Sequence, residues 1–264
     1  MNPIRTLSLA ALMLVCASVA SVAFAAVKTQ EIEYTVDSTA LRGFMAWDDA
    51  KTGKRPGILV VHEWWGHNQH ARNAAVKLAK AGYVAFALDM YGKGKVTTHP
   101  ADAQAFMQEA MKDPAVVAAR FHAARAQLIA DPHVDPERIG AIGYCMGGGV
   151  VLGMARAGED LDAVATFHGV LATENPAAKD MVKPRLLIMT GGADPMVDQA
   201  QVEAFEKEMT AAGVKYQVIT YPGAKHGFTN PDAGKAGMDA LAYNADADKK
   251  SWAEALKLFK ETWK

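Results

Sequence analysis

The sequence predicts an α/β fold with a mostly parallel central sheet, helices on both faces of the sheet and an N-terminal β-hairpin. From residue 57 to residue 263, short apolar runs alternate with helical segments, which is the order of the strand–helix units that build a parallel sheet. The apolar runs show no polar alternation, and this is typical of strands buried on both faces. Residues 26–264 contain no repeat, charge block or Ser/Gly-rich linker, so we expect a single domain.

The hairpin comes first, because residues 30–36 and 41–47 alternate apolar and polar side chains around a turn at Asp37-Ser38. Apolar runs then predict strands at residues 57–61, 83–88, 138–142, 163–167, 185–189 and 216–220. Helices are predicted at residues 71–80, 101–111, 115–130, 146–157, 199–212 and 251–263. The last helix has one apolar stripe, formed by Trp252, Leu256, Phe259 and Trp263. Because ligands of such sheets bind beyond the carboxyl ends of the strands, we look for functional residues there.

Residues 1–25 are expected to lie outside this domain. Arg5 is followed by apolar or small residues from 7 to 22, and the run ends in Ala23-Phe24-Ala25. A basic start, an apolar centre and an Ala-x-Ala end are typical of a secretory signal peptide cut after Ala25. A membrane anchor is the alternative, but the apolar run is short for a span. We therefore expect a secreted, periplasmic protein without stable membrane association after cleavage.

The composition argues against several classes of function. With 28 basic and 29 acidic residues the net charge is −1, so the basic surface expected of a nucleic-acid binder is missing. Two cysteines cannot build a disulfide scaffold, and signal cleavage would leave Cys145 alone. No cofactor is expected, since Leu152 breaks the G-x-G-x-x-G spacing that begins at Gly147. No metal is expected either, because His62 and His67 are five residues apart across a glycine rather than four apart on a helix. The oligomeric state is left open, with a monomer favoured.

Three residues that follow predicted strands form a candidate catalytic triad. Gly143-x-Cys145-x-Gly147 has the spacing of a nucleophile elbow, a tight strand-to-helix turn that exposes the nucleophile and needs glycines beside it. Asp194 and His226 follow the last two predicted strands, and the chain order nucleophile, acid, base is that of the α/β-hydrolases. Alone, each residue has an ordinary interpretation as a buried cysteine, a turn aspartate or a packed histidine. Together they predict that His226 deprotonates Cys145 while Asp194 fixes the imidazole tautomer.

Five motifs resemble the dienelactone hydrolases, also called carboxymethylenebutenolidases, and the similarity runs from residue 31 to residue 263. They are Val-Val-His-Glu-x-x-Gly at 60–66, Leu-Asp-Met-Tyr-Gly at 88–92, Gly-Tyr-Cys-Met-Gly-Gly at 143–148, Gly-Gly-Ala-Asp-Pro at 191–195 and Tyr-Pro-Gly-Ala-x-His-Gly-Phe at 221–228. The resemblance implies an α/β-hydrolase fold and a catalytic role for Glu63, whose family counterpart lies beside the nucleophile and holds the thiol neutral at rest. It also implies that the backbone N–H groups of Trp64 and Met146 form the oxyanion hole. The alternative for Glu63 is a carboxylate that only anchors its loop.

Two positions depart from the best-known members of the family, which bind a substrate carboxylate with two arginines. Lys93 and Asn230 stand at those places, so the bidentate grip on a carboxylate is lost and dienelactone is in doubt as the substrate. Both remain candidate substrate-binding residues, together with Tyr91 and Trp65. Beside Trp64, Trp65 would either line a pocket for an apolar acyl group or pack in the core.

The expected function is hydrolysis of a small-molecule ester or lactone through a thioester on Cys145. One alternative is an elbow cysteine of the glutamine amidotransferase-like or thiol-stress type, against which Asp194 and His226 argue. Another is a secreted ligand-binding protein with a relict site, which would bind a ligand tightly without turning it over.

Overall fold

The computed structural model describes residues 27–264, so the predicted signal peptide lies outside the described residues. The strands are β1 (Val27–Val36), β2 (Thr39–Asp48), β3 (Arg55–Val61), β4 (Val84–Leu88), β5 (Val134–Tyr144), β6 (Ala163–Phe167), β7 (Arg185–Gly191) and β8 (Tyr216–Tyr221). The helices are α1 (Gln69–Lys80), α2 (Pro100–Met111), α3 (Pro114–Ala130), α4 (Met146–Arg156), α5 (Gln199–Ala211) and α6 (Ala245–Thr262), with a short 3-10 helix at Ala233–Ala236.

All eight strands within residues 27–264 belong to one sheet, in the order β1-β2-β4-β3-β5-β6-β7-β8. Strands β1 and β2 form the antiparallel N-terminal hairpin, and β2 also runs antiparallel to β4, with Met45 opposite Phe86. From β4 to β8 every pair is parallel. The predicted α/β fold, with a mostly parallel sheet and an N-terminal hairpin, is therefore confirmed.

Each face of the sheet carries its own core. Leu59 and Val61 of β3 point to the face that is covered by α3, α4 and α5, where Phe121 and Phe205 pack. Ile58 and Val60 point to the opposite face, which α1 and α6 cover. Because both faces are buried, the central strands need apolar side chains at consecutive positions, which explains the unbroken apolar runs in the sequence.

Two element boundaries differ from the sequence prediction by four residues or more, and the others differ by three or fewer. Helix α6 begins at Ala245, six residues before the predicted start, and the Asn244 side chain caps it by accepting from the Ala247 N–H at 3.0 Å. Its first turns are mostly polar, so they add no apolar stripe that the sequence could reveal. Strand β5 begins at Val134 because its pairing with β3 shifts register between Pro56 and Gly57, and such an irregularity has no period-2 signal.

Strand β1 forms one edge of the sheet. Its exposed face carries charged side chains that pair with neighbouring elements: Glu31 lies 2.6 Å from Arg72 and Glu33 lies 2.6 Å from Lys93. None of the helices between residues 27 and 264 is both long and apolar enough to cross a membrane. The carboxyl ends of β3, β5, β7 and β8 meet at a common edge of the sheet, and the loops that follow them carry the candidate residues.

Candidate active site

Cys145 occupies the turn between β5 and α4. Its backbone has φ 52° and ψ −118°, a conformation that a residue with a side chain rarely adopts and that stores strain. The Cys145 N–H donates to the Phe167 carbonyl at 3.1 Å, which ties the strained turn to β6. The residue therefore has the backbone of a nucleophile elbow, with its side chain just before the first turn of α4.

The glycines on either side of Cys145 are required by close backbone approach. A Cβ on Gly143 would overlap the carbonyl oxygen of Gly147, and a Cβ on Gly147 would lie 2.5 Å from the carbonyl oxygen of Val61. Real Cβ atoms do not approach backbone oxygens so closely. The Gly-x-Cys-x-Gly pattern thus follows from the way in which β5, β3 and the start of α4 pack together.

His226 and Asp194 form a buried hydrogen-bonded pair on the loops after β8 and β7. The His226 Nδ1–H donates to Asp194 Oδ2 at 2.8 Å. The other carboxylate oxygen, Oδ1, accepts from the backbone N–H groups of Met196 at 2.8 Å and Val197 at 3.2 Å. With both oxygens engaged, the carboxylate is held in orientation and keeps a proton on His226 Nδ1, so that Nε2 is the ring nitrogen left to act on a second group.

Cys145 is the group that influences His226 besides Asp194. Burial by itself disfavours a charged imidazole, but the electrostatic influence of the neighbouring Cys145 and the hydrogen bond to Asp194 raise the pKa of His226 to about 10. His226 Nε2 is buried and makes no hydrogen bond of ordinary geometry to any group within residues 27–264. The thiol and the imidazole are thus neighbours without a closed hydrogen bond, an arrangement common in catalytic sites without substrate.

Glu63 is buried and bound to Asn230. The Asn230 Nδ2–H donates to Glu63 Oε2 at 2.6 Å, while His70 Nδ1 lies 3.8 Å from Oε2 and His168 Nε2 lies 4.0 Å from Oε1. Among the hydrogen bonds of residues 27–264, none joins Glu63 to Cys145. The amide that was expected to bind substrate therefore binds a carboxylate of the protein instead.

The loop after β3 fixes the peptide bond between Glu63 and Trp64. His62 Nδ1 donates to the Glu63 carbonyl, and the Gly66 N–H donates to the same oxygen at 3.3 Å. His62 Nε2 accepts from the Met90 N–H at 3.1 Å, so both ring nitrogens are engaged by backbone and neither is left for a metal. Burial lowers the pKa of His62 and keeps the ring neutral.

This loop presents one N–H group, and helix α4 presents another. Within the described part of the chain the Trp64 N–H donates to no backbone acceptor, and Met146, as the first residue of α4, has no intrahelical acceptor for its own N–H. Because a trans peptide directs its N–H opposite to its C=O, the grip of His62 on the Glu63 carbonyl sets the direction of the Trp64 N–H. The sequence suggests His62 only as a possible metal ligand, and its contact with the Glu63 carbonyl could not be predicted from it.

The remaining candidates for substrate binding have different surroundings. The buried Tyr91 hydroxyl lies 3.1 Å from the Trp64 carbonyl and 3.1 Å from Met146 Sδ, and burial with the nearby Cys145 raises its pKa. The Trp65 ring is buried against the ring of Trp64, at 4.8 Å between centroids, so it packs.

Lys93 is not brought to these groups. Its ammonium pairs with Glu33 of the hairpin at 2.6 Å, and its side chain is 39% exposed. The structure therefore brings together Cys145, His226 and Asp194, and gives Lys93 a partner elsewhere.

A cavity of about 770 Å³ adjoins the site along α4. It lies between α4, the junction of α2 with α3, and the segment after β6. Its lining is mostly apolar and consists of Met107, Met111, Pro114, Val117, Ala118, Met146, Gly149, Val150, Gly153, Met154, Arg156, Ala157, Val170, Ala172, Thr173 and Asn175.

Comparisons with known proteins give a consistent result. The sequence profile of the dienelactone hydrolase family matches residues 28–263. A crystal structure of a dienelactone hydrolase-like promiscuous phosphotriesterase from metagenomic libraries superposes with a TM-score of 0.85 at 36% identity, covering 90% of this chain and 99% of that one. A Synechocystis sp. protein provisionally named carboxymethylenebutenolidase is 27% identical over 88% of this chain and 96% of its own length. The protein usf of Aquifex pyrophilus is 31% identical over 76% of this chain and 87% of its own.

Proposed function

This chain belongs to the dienelactone hydrolase family, and we propose that it hydrolyses a small ester or lactone through a thioester on Cys145. The observation that carries the proposal is the buried pair of His226 and Asp194, 2.8 Å apart, with the free Nε2 of the imidazole next to the elbow cysteine. A relict or purely structural cysteine has no need of a strained backbone or of an oriented base beside it.

The proposed reaction has two halves. His226 Nε2 takes the thiol proton, and the Cys145 sulfur attacks the carbonyl carbon, whose π electrons move to the oxygen. When this tetrahedral oxyanion collapses, the C–O bond to the alcohol breaks, and the leaving alkoxide takes the proton from His226. His226 then takes a proton from water, and the resulting hydroxide attacks the thioester carbon. The C–S bond breaks, the acid is released and the sulfur regains its proton.

The oxyanion is proposed to bind to the N–H groups of Trp64 and Met146. Both donors are free within the described residues, and both belong to rigid backbone, one held by His62 and one at the start of α4. A donor of this kind typically contributes about 3 kcal/mol of transition-state stabilisation. The N-terminal end of α4 adds a favourable dipole at the same place.

The proposal is tested with 4-nitrophenyl acetate and a small lactone. We expect a burst of nitrophenol, and an intact protein mass increased by one acetyl group that hydroxylamine removes. Cys145→Ala should lose the adduct and reduce kcat/KM by about 1,000-fold or more, whereas Cys145→Ser, a hydroxyl of similar size, reports what the sulfur contributes. Unchanged turnover in Cys145→Ala, or acetylation at another residue, would refute the proposal.

We also propose that residues 1–25 export the protein to the periplasm. The support is the basic start, apolar centre and Ala-x-Ala end of this segment. N-terminal sequencing of the protein from a periplasmic fraction should begin at Ala26. A cytoplasmic protein that retains residues 1–25 would contradict this.

A further inference from the structure

The cavity along α4 reaches the start of this helix at Met146. Met146, which lines its near end, is the residue after Cys145 and the second proposed oxyanion donor. Gly153, farther along the same helix, also lines it, and seven residues of α-helix span about 10 Å. A group attached to a carbonyl carbon at Cys145 can therefore extend along α4 into this space.

The lining offers little to a charged group. Among the described residues that line the cavity, Arg156 is the one charged side chain, and it is 5% exposed. Glu208 neutralises it by accepting from Nε and from Nη2, both at 2.8 Å. Arg156 also donates to the Leu171 carbonyl at 2.9 Å. The two places where the family carries arginines hold Lys93, paired with Glu33, and Asn230, bound to the enzyme's own carboxylate.

No packing contact requires glycine at position 153. It lies inside α4, where glycine lowers helix stability relative to alanine. A Cβ at this position would meet no atom within 4 Å, so no neighbour demands glycine there. Gly153 is exposed, and its lack of a side chain leaves this part of the cavity wall open.

The size of the cavity suits a small ligand. About 770 Å³ lies within the volume range of small-molecule pockets, which are commonly apolar with a few polar groups. The cavity is open to solvent along Gly153, Val170 and Ala172. We propose that this cavity binds an uncharged apolar group of the substrate, so that the enzyme prefers neutral esters or lactones with an extended hydrocarbon or aromatic part over carboxylated ones. This inference rests on the proposed function, since it assigns the substrate class of the same site.

The first experiment measures kcat/KM for two series of esters. In one series the acyl chain grows from acetyl to octanoyl with 4-nitrophenol as the leaving group, and in the other the alcohol grows while the acyl group stays acetyl. Each buried methylene should raise kcat/KM by about threefold to fourfold in the series that enters the cavity. The series that rises tells whether the acyl or the alcohol part is bound. A flat response in both series, or a preference for a carboxylated acyl group over its neutral analogue, would overturn the proposal.

Gly153→Leu then fills the cavity from its wall. Leucine is a better helix former than glycine, so α4 should persist. The loss of kcat/KM in this variant should be at least tenfold greater on the longest good substrate than on the acetyl ester. Gly153→Ala, which adds one methyl group, is the matched control, and its loss of kcat/KM on the longest good substrate should lie between those of the parent protein and Gly153→Leu. An equal loss on short and long esters would show that the effect is not a loss of space and would overturn the assignment.

Binding provides a readout that is independent of turnover. A neutral alkyl ketone such as 2-octanone should bind to the Cys145→Ala protein in calorimetric titration, and adding Gly153→Leu should abolish the binding. Inactivity of the parent protein on every ester, with this binding intact, refutes the proposed function alone. Turnover without chain-length preference, or ketone binding that Gly153→Leu leaves unchanged, refutes the cavity assignment alone.

Discussion

Replacing His62 by glutamine should weaken the proposed oxyanion hole without changing the proposed nucleophile, Cys145. Two donors hold the Glu63 carbonyl, His62 Nδ1 and the Gly66 N–H, and the second is long at 3.3 Å. Glutamine places its amide group near the former Nε2, where it can still accept from the Met90 N–H, but leaves nothing at the former Nδ1. The Glu63–Trp64 peptide then loses its stronger restraint.

The size of the effect follows from two limits. The lower limit is the net value of one hydrogen bond, about 1 kcal/mol. The upper limit is the whole contribution of one oxyanion donor, about 3 kcal/mol, which would be lost if the Trp64 N–H turned away completely. We expect kcat for acylation to fall by about tenfold to 100-fold, with KM changed by less than about threefold because ground-state binding is not involved.

Three measurements separate this role from general damage. Stopped-flow acylation by 4-nitrophenyl acetate should slow, whereas alkylation of Cys145 by iodoacetamide, which forms no oxyanion, should keep its rate. The Trp64 amide signal in a 15N NMR spectrum should shift. The matched control is His62→Asn, whose amide nitrogen lies near the former Nδ1 and keeps the donor to Glu63. Equal losses in both variants, or slowed alkylation in His62→Gln, would refute the reasoning.

Three further predictions follow from the same contacts. Asp194→Asn should lower kcat/KM by about 100-fold to 10,000-fold in the ester assay, because its carbonyl oxygen stays with the two backbone donors and its NH2 faces His226, which forces the wrong tautomer. Gly143→Ala should lower the free energy of unfolding by more than about 3 kcal/mol in urea titration, since its Cβ overlaps backbone. Glu208→Gln should cost about 2–4 kcal/mol at pH 7 in the same titration by leaving Arg156 buried and unpaired.

The pH dependence of the free energy of unfolding gives a second test of the Glu208→Gln prediction. Burial raises the pKa of Glu208, but the hydrogen bonds from Arg156 and the Ala177 N–H lower it by more. The pKa of Glu208 therefore lies below 4.5. A carboxyl group with a lowered pKa in the folded state stabilises the protein above the unfolded pKa and loses that contribution as the pH falls below it. The difference between the parent protein and Glu208→Gln should therefore narrow below pH 4.5.

Helix α5 and its cap offer matched controls for the Asp194 and Glu208 variants. Asp198→Asn changes the cap of α5, which accepts from the Gln201 N–H at 2.9 Å, and should leave ester hydrolysis within twofold. Glu203→Gln removes an exposed carboxylate and should alter the free energy of unfolding by less than about 0.5 kcal/mol. Large losses in either control would mean that the effects at Asp194 and Glu208 are not specific to their contacts.

The fold could be predicted from the sequence because its central strands are buried on both faces. The runs at Gly57–Val61 and Ala163–Phe167 are apolar at nearly every position, so no knowledge of their neighbours is needed. The elbow could be predicted for a similar reason, since the glycines at 143 and 147 record a local packing of backbone against backbone. The start of α6 could not, because residues 245–250 are mostly polar and take their helical state from the Asn244 cap.

The partners of the polar site residues could not be read from the sequence. Asn230 and Glu63 are 167 positions apart, and only the folded chain shows that the amide binds this carboxylate. Lys93 lies directly after a family motif, yet its side chain turns to Glu33 on the hairpin. The contact of His62 depends on the orientation of the Glu63–Trp64 peptide bond, and neither residue type nor spacing predicts that orientation.

The charged edge of strand β1 bears on how this protein avoids sticking to itself. Strand β1 runs for ten residues at the rim of the sheet and leaves one row of backbone donors and acceptors without a neighbouring strand. Such a row can recruit a foreign strand and start aggregation, and charged side chains are a common safeguard. Glu31 and Glu33, paired with Arg72 and Lys93, place charged side chains of both signs along this rim. Lys93, through its ion pair with Glu33, thus contributes to a charged rim that disfavours the addition of another strand.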